Sequence, residues 1–262
     1  MRHLLLLLSF IAIQGFAQDT GKGKDDQYVE KIRSLISFRP YVTQNWVLLM
    51  LNYPTSVEAP LIYRPATGLN VGGEFAFSFL RFNYQRNIPL LQPTLPNNFT
   101  PSHQRFGIDF GGAIFGLSAS FQRNNGFYML NPGAYPTEAG ETTPEYVEFR
   151  PDIASSTFGI DFRFTFSNKL SANALFNQTE RQLKSKGAFT LVFGDHHHNF
   201  TADTSLLPIG VRTNYAESAS TNRLWVNTFH VMPGYGYIAV AGKWNFGLFL
   251  YSGSGIQFRK YY

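Results

Sequence analysis

From Thr157 to Phe166 the chain reads Thr-Phe-Gly-Ile-Asp-Phe-Arg-Phe-Thr-Phe, so Phe158, Ile160, Phe162, Phe164 and Phe166 alternate with Thr157, Gly159, Asp161, Arg163 and Thr165. Side chains of an extended chain point alternately to its two sides, and a period of two therefore predicts a strand with one greasy and one small or charged face. Arg105 to Gly111 repeats the scheme, with Phe106, Ile108 and Phe110 opposite Arg105, Gly107, Asp109 and Gly111. Leu69, Val71, Phe75 and Phe77 oppose Asn70, Gly72 and Glu74, while Leu80, Phe82 and Tyr84 oppose Arg81, Asn83 and Gln85. Leu117, Ala119 and Phe121 form a further face, as do Tyr235 and Tyr237, and Trp244, Phe246, Leu248 and Leu250 form a late one. Tyr28, Ile32, Leu35 and Ile36 fit one side of a short helix, although a first strand from Ser34 fits nearly as well. About eleven or twelve strand segments result, with no long helical pattern beside them.

The connections come in two sizes. Phe77 to Phe79, Ala113 to Phe115, Ser167 to Lys169 and Ala241 to Lys243 leave room only for tight turns, whereas Ile88 to Gln104, Asn131 to Ala154 and Gly194 to Asn222 are long and polar. Short turns at one end and long loops at the other are the expectation for an outer-membrane barrel. The up-and-down parity holds to about Thr179 and then breaks by one at Ala188 to Phe193, which calls for another strand within Ser205 to Arg212 or a different count there.

Alternation alone also fits a soluble β-sandwich, whose outward face is normally rich in Lys and Glu. Here the second face is mostly Gly, Ser, Thr and Asn with a few Asp and Arg. Hydrocarbon requires backbone groups to be bonded internally, which leaves a closed barrel as the strand solution, with apolar residues outward and small or polar ones within. The faces favour the barrel.

Composition sharpens this. Of 262 residues, 44% are hydrophobic, 16% aromatic and only 15% charged, with 26 Phe and no Cys. A mean hydropathy of −0.14 is too low for a bundle of membrane helices. The absence of Cys excludes a disulfide scaffold, a thiolate zinc site and cysteine catalysis. Arg2 and His3 precede an apolar run from Leu4 to Ile13, followed by Gly15-Phe16-Ala17. That is the layout of a secretory signal peptide over residues 1–17, too short to span a bilayer. A polar, glycine-rich periplasmic lead over 18–33 and a barrel domain over 34–262 follow. The net charge of +5 is spread without a basic block, so no nucleic-acid partner is expected.

Glu74, Arg81, Asp109, Asp161 and Arg163 fall on the polar faces and are the candidate lumen residues, where they pair, set pore electrostatics or fill a plugged interior. Asp195-His196-His197-His198 is the one metal-like cluster, but adjacent residues on a strand alternate faces and cannot all hold one ion. Such a triplet reads as a hydrated loop, and no metal or cofactor is assigned. Glu180, Arg181, Lys184 and Lys186 form a charged turn suited to solvent or lipopolysaccharide phosphates. No Gly-x-Ser-x-Gly elbow or phosphate loop occurs, and no catalytic residue is assigned.

Ile114 to Leu130 resembles a strand ending in the Tyr/Phe-Gln-x-x-x-Gly-Phe-Tyr-Leu pattern of the domain-of-unknown-function family 4421. Arg150-Pro151-Asp152 is similar to that family's Arg-Pro-Asp element. Lys169 to Phe189 carries the most specific match, to its Lys-Phe-Ser-x-x-Ala-x-Phe-Asn-Gln-x-Glu-x-Gln-x-Lys-Ser-x-Gly-Ser motif. Ser205 to Pro208 and Pro233 to Tyr237 continue the order. The resemblance implies an outer-membrane β-barrel of the Bacteroidota type with no established activity. Family members usually continue past Gly253 to Phe258 with further strands, so a barrel incomplete at the C-terminus is implied.

The expectation is thus an all-β, antiparallel up-and-down transmembrane barrel of about 10–12 strands. Its expected role is structural, channel-forming or surface-interacting, not enzymatic, in the outer membrane, with lipid, lipopolysaccharide and a small solute or protein as partners. A barrel enzyme acting on outer-membrane lipid and a soluble periplasmic sandwich are the alternatives.

Overall fold

In the computed structural model of the chain, residues 27–32, 36–44, 47–51, 60–88, 90, 99–111, 114–130, 149–176, 180–207 and 220–262 are described. The segment expected to be a signal peptide over 1–17, most of the expected lead over 18–33 and the middles of the long loops lie outside the described residues.

The strands are β1 (Val29–Lys31), β2 (Ile36–Gln44), β3 (Leu49–Leu51), β4 (Leu61–Pro65), β5 (Leu69–Phe77), β6 (Leu80–Asn87), β7 (Ser102–Gly111), β8 (Phe115–Met129) and β9 (Phe149–Thr165). A five-residue helix α1 (Ala172–Phe176) and β10 (Glu180–Gln182) follow. The chain then forms β11 (Lys186–Thr201), β12 (Arg223–Ala241), β13 (Trp244–Tyr251) and β14 (Ser254–Tyr261). Twelve of the strands form one antiparallel sheet curled into a half-barrel, with β2, β5, β6, β7, β8, β9, β11, β12 and β13 side by side in that order. β1 and β10 pair separately. No helix among the described residues is long and apolar enough to cross a membrane.

β13 and β14 both pair with β12, and they keep one register: Gly234 faces Tyr251 and Val231 faces Ser254. They are one long strand, interrupted opposite Met232-Pro233, where proline supplies no N–H to the ladder. The β12–β13 hairpin closes through Gly242 at φ +61°, the left-handed conformation such a tight turn needs.

The two faces of the sheet divide as the alternation predicts. Phe158, Phe164 and Phe166 are 43%, 42% and 67% exposed on the convex side, in company with Phe75, Phe82, Phe106, Phe121, Phe193, Phe229 and Leu248. The polar partners line the concave side. One apolar face is thus left open to the surroundings, and the sheet does not fold back on itself as a sandwich would. On that face a polar row borders the aromatic band: Arg86, Gln104, Arg123, Ser156 and Asn199 are successive ladder partners on β6, β7, β8, β9 and β11.

Beyond that row the interior is apolar. Phe127, Met129, Ile153, Phe200, Leu224 and Val226 point inward and meet Leu49, Leu61 and Tyr63 of β3 and β4, with Leu206 and Leu207 closing over them. Burying each large side chain contributes on the order of 1.5–3 kcal/mol. Phe127 and Met129 reach this core because the β8–β9 pair bulges at Gly126 (φ +83°): Asn125 faces Ala154 but Phe127 faces Arg150, the extra residues lying on β9. Odd-numbered residues point outward before the bulge, as Phe121 does, and inward after it. The opposite end is filled by α1, whose Leu175 joins Leu170, Ala188 and Ile238.

Two expectations change. The stretch after Lys169, counted into the up-and-down order as far as about Thr179, carries α1, and β10 pairs with β1 outside the main sheet; β11 therefore follows β9 directly, which accounts for the parity break at Ala188. The stretch from Gly194 to Thr201 is strand, not loop, since β11 pairs with β9 and β12 along its whole length there. Ser205 to Leu207, at the start of the region where parity calls for another strand, is non-strand chain packed into the core; residues 208–212 lie outside the described ones.

Candidate functional site

Between the two apolar plugs the concave face holds a belt of polar groups around a cavity of about 1720 Å³. The first half of the belt runs across β2, β5, β6, β7 and β8. Arg39 Nη2 donates to Glu74 Oε1 at 2.7 Å, and Arg81 Nη1 lies 3.6 Å from Glu74 Oε2. Arg81 Nε donates to Asp109 Oδ2 at 3.0 Å, while Asn83 Nδ2 (3.3 Å) and Ser118 Oγ (2.6 Å) donate to the same carboxylate. Charges alternate across neighbouring strands, so each carboxylate is held by at least one guanidinium, as partly desolvated charges require.

The second half of the belt stands on β9, β11 and β12. Asp161 of β9 and His230 of β12 flank Gly194 of β11, which faces each of them in the ladder. A Cβ at Gly194 would stand 2.3 Å from Asp161 Oδ1 and 2.8 Å from His230 Cε1, so only glycine lets these two side chains meet over the intervening strand. His196 lies over Gly159 in the same manner, where a Cβ would come 2.8 Å from its Cδ2. His196 Nε2 is 3.1 Å from both Asp161 oxygens, and His230 Nε2 is 3.0 Å from Oδ1. The two imidazoles stand nearly perpendicular at 88°, with centroids 5.0 Å apart. The ligand atoms of all three residues fall within 4.8 Å of one another. His198, one step along the inner face, contacts Thr157 Oγ1 at 3.0 Å.

All five candidate lumen residues lie on the concave side. Glu74, Arg81 and Asp109 join one network, and Asp109, Asp161, Arg163 and Arg81 line the cavity. Asp161 does not join the arginines; its partners are the two histidines. The histidine triplet alternates as a strand must, with His196 and His198 inward and His197 outward, paired with Asp195 at 3.1 Å on the convex face. The hydrated-loop reading of this triplet is corrected by the continuous β11 ladder. Arg39 and Ser118 are site residues that the residue pattern did not single out; His196 stood out only as part of the triplet, and His230 only as a strand histidine without a partner. Parity places His230 on the inner face between Phe229 and Val231, but only the strand order brings it to Asp161.

At the far end Arg150 reaches both oxygens of Asp152 (2.8 Å each) and the Ser205 carbonyl (2.8 Å), tying β9 to the chain that caps the core. Asp152 lies on the part of β9 beyond the aromatic band. Burial pushes its carboxyl up, but the Arg150 guanidinium outweighs this and holds it below the usual carboxylate value. At the opposite end Ser171 caps α1 by accepting from Ala174 N at 2.9 Å, and Gln182 bridges Ser171 N and the carbonyls of Lys169 and Lys184. Asn173 donates to the Gly111 carbonyl at 3.1 Å, fixing α1 to the sheet.

The motifs from Ile114 to Tyr237 thus map onto structural parts: the bulged end of β8, the Arg150–Asp152 clasp and the α1–β10 plug. The sequence model of a family described as a domain of unknown function (DUF4421) matches residues 23–261. The chain belongs to the DUF4421 family. No curated protein and no solved structure gives a significant match. For this DUF4421 chain, the Lys169–Phe189 motif coincides with the plug: Gln182 is fully buried and hydrogen-bonds three backbone groups there.

Proposed function

We propose that this chain is an outer-membrane β-barrel protein of the Bacteroidota kind, exported by a cleaved signal peptide, with a structural or solute-binding rather than a conducting role. The observation that carries this reading is the convex face. Its Phe, Tyr, Trp and Leu side chains form a continuous exposed band, far beyond the scattered apolar residues normal on a soluble surface, and hydrocarbon is the surrounding that such a band suits. The polar row from Arg86 to Asn199 fits the limit of the hydrocarbon layer, where lipopolysaccharide headgroups begin. The interior supports a plugged chamber, since α1 fills one end and the Tyr63–Phe127–Leu206 core the other.

The test is fractionation of cells expressing the full chain. Recovery in the outer-membrane fraction with heat-modifiable gel migration is expected, and recovery as a soluble periplasmic monomer overturns the assignment. In planar bilayers the folded protein is expected to show no steady single-channel conductance; sustained channel steps refute the plugged chamber.

A further inference from the structure

We propose that Asp161, His196 and His230 form a binding site for a divalent transition-metal ion of the zinc type on the wall of the lumen. Three neighbouring strands each supply one donor, and their ligand atoms already lie within 4.8 Å of one another. One carboxylate and two imidazoles make an N₂O donor set, which suits zinc, nickel, copper or ferrous iron and not the all-oxygen shells of calcium and magnesium. Three protein ligands leave a coordination position open, and here it faces the cavity.

Two observations distinguish this cluster from an ordinary hydrogen-bonded group. His230 Nε2 is buried and makes no hydrogen bond, although it stands only 3.0 Å from Asp161 Oδ1: the two atoms are close without the alignment a donated proton needs. The nitrogens of both histidines converge on the same carboxylate from perpendicular planes, the arrangement in which a shared cation replaces two competing protons. The backbone is also shaped for it. Gly194 and Gly159 leave the space that Asp161, His230 and His196 occupy, and a methyl group at either would collide with a ligand side chain. The site is built from strand pairing alone and does not depend on the membrane assignment.

The experiment is a Zn²⁺ titration by calorimetry of the full chain, free of polyhistidine tag and refolded in detergent, with Co²⁺ absorption as a second readout. The expected result is about one ion per chain. His196→Ala, His230→Ala and Asp161→Asn are each expected to weaken binding about tenfold or more, and His197→Ala, on the opposite face of β11, to leave it unchanged. Heat-modifiable migration verifies that each variant is folded. His230→Gln keeps a hydrogen-bond donor near Asp161 without the imidazole; it is expected to fold and to lose the Co²⁺ visible band. Absence of zinc binding by the parent chain, or equal binding by His230→Gln and parent, overturns the proposal and leaves a His196–Asp161 pair with His230 beside it.

Discussion

Arg81 and Asp109 face each other across the β6–β7 ladder, and the arginine Nε donates to the carboxylate over 3.0 Å on the concave side of the sheet. Asp109 also accepts from Ser118 and Asn83, so its removal takes an acceptor from three donors at once, with Arg81 keeping Glu74. Asp109→Ala is expected to destabilise the folded chain by about 3 kcal/mol, as breaking a desolvated pair from one side does, and Asp109→Asn by less. Urea unfolding in detergent measures this; a loss near zero for Asp109→Ala shows that lumen water compensates the arginine.

Phe162 is the third of the five outward side chains from Phe158 to Phe166 and stacks on Phe193 in the middle of the convex band. An arginine at a lipid-facing midplane position costs about 2–4 kcal/mol. Phe162→Arg is therefore expected to depress folding into phospholipid vesicles. Arg123, in the polar row that borders the band, marks where a cation is tolerated. Unimpaired vesicle insertion by Phe162→Arg, with better behaviour in plain buffer, would speak for an aqueous surface.

Gly126 and Gly242 both have positive φ, at +83° and +61°, but their surroundings differ. A Cβ at Gly242 meets nothing within 4 Å, whereas at Gly126 it would lie 2.7 Å from the Phe99 ring. Gly242→Ala should therefore carry only the left-handed backbone penalty of about 1–2 kcal/mol. Gly126→Ala is expected to lose clearly more, read as a larger fall in melting temperature, because the bulge that turns Phe127 inward cannot relax around the new methyl group.

The Arg150–Asp152 clasp gives the capped end a pH dependence. The Asp152 carboxyl titrates below its ordinary value in the folded chain, so its stabilisation is complete above the unfolded carboxylate pKa of about 3.9 and is lost as pH falls through the folded value. Melting temperature should decline on acidification through that window. Asp152→Asn is expected to flatten this part of the profile, and an unchanged slope would assign it to other carboxylates.

The strand faces were legible because Phe158 to Phe166 alternate without interruption, and the same holds for Arg105 to Gly111. Legibility failed where alternation is broken by geometry or hidden by chemistry. The bulge at Gly126 inverts parity without changing the residue pattern, so Phe127 looks like an outward residue. Asp195 to Asn199 carries polar groups on both faces and therefore reads as loop, yet β9 and β12 pair with it on either side. The stretch after Lys169 was counted into the up-and-down order as far as about Thr179 because α1, at five residues, is too short to show a helical period. The place of Glu74, Arg81, Asp109, Asp161 and Arg163 on the concave face was visible from parity alone. Their partners were not, since the meeting of Asp161 with His230 depends on which strands are neighbours and on a glycine between them.

Every pairing from β2 through to β13 is antiparallel, so after eight reversals the outermost two ribbons point in the same direction. Bringing those rims directly together would create a parallel seam in an otherwise alternating wall. An added insert of one ribbon, or any odd number, would restore head-to-tail alternation all the way around. The half-shell thus sets an arithmetic condition on whatever completes it.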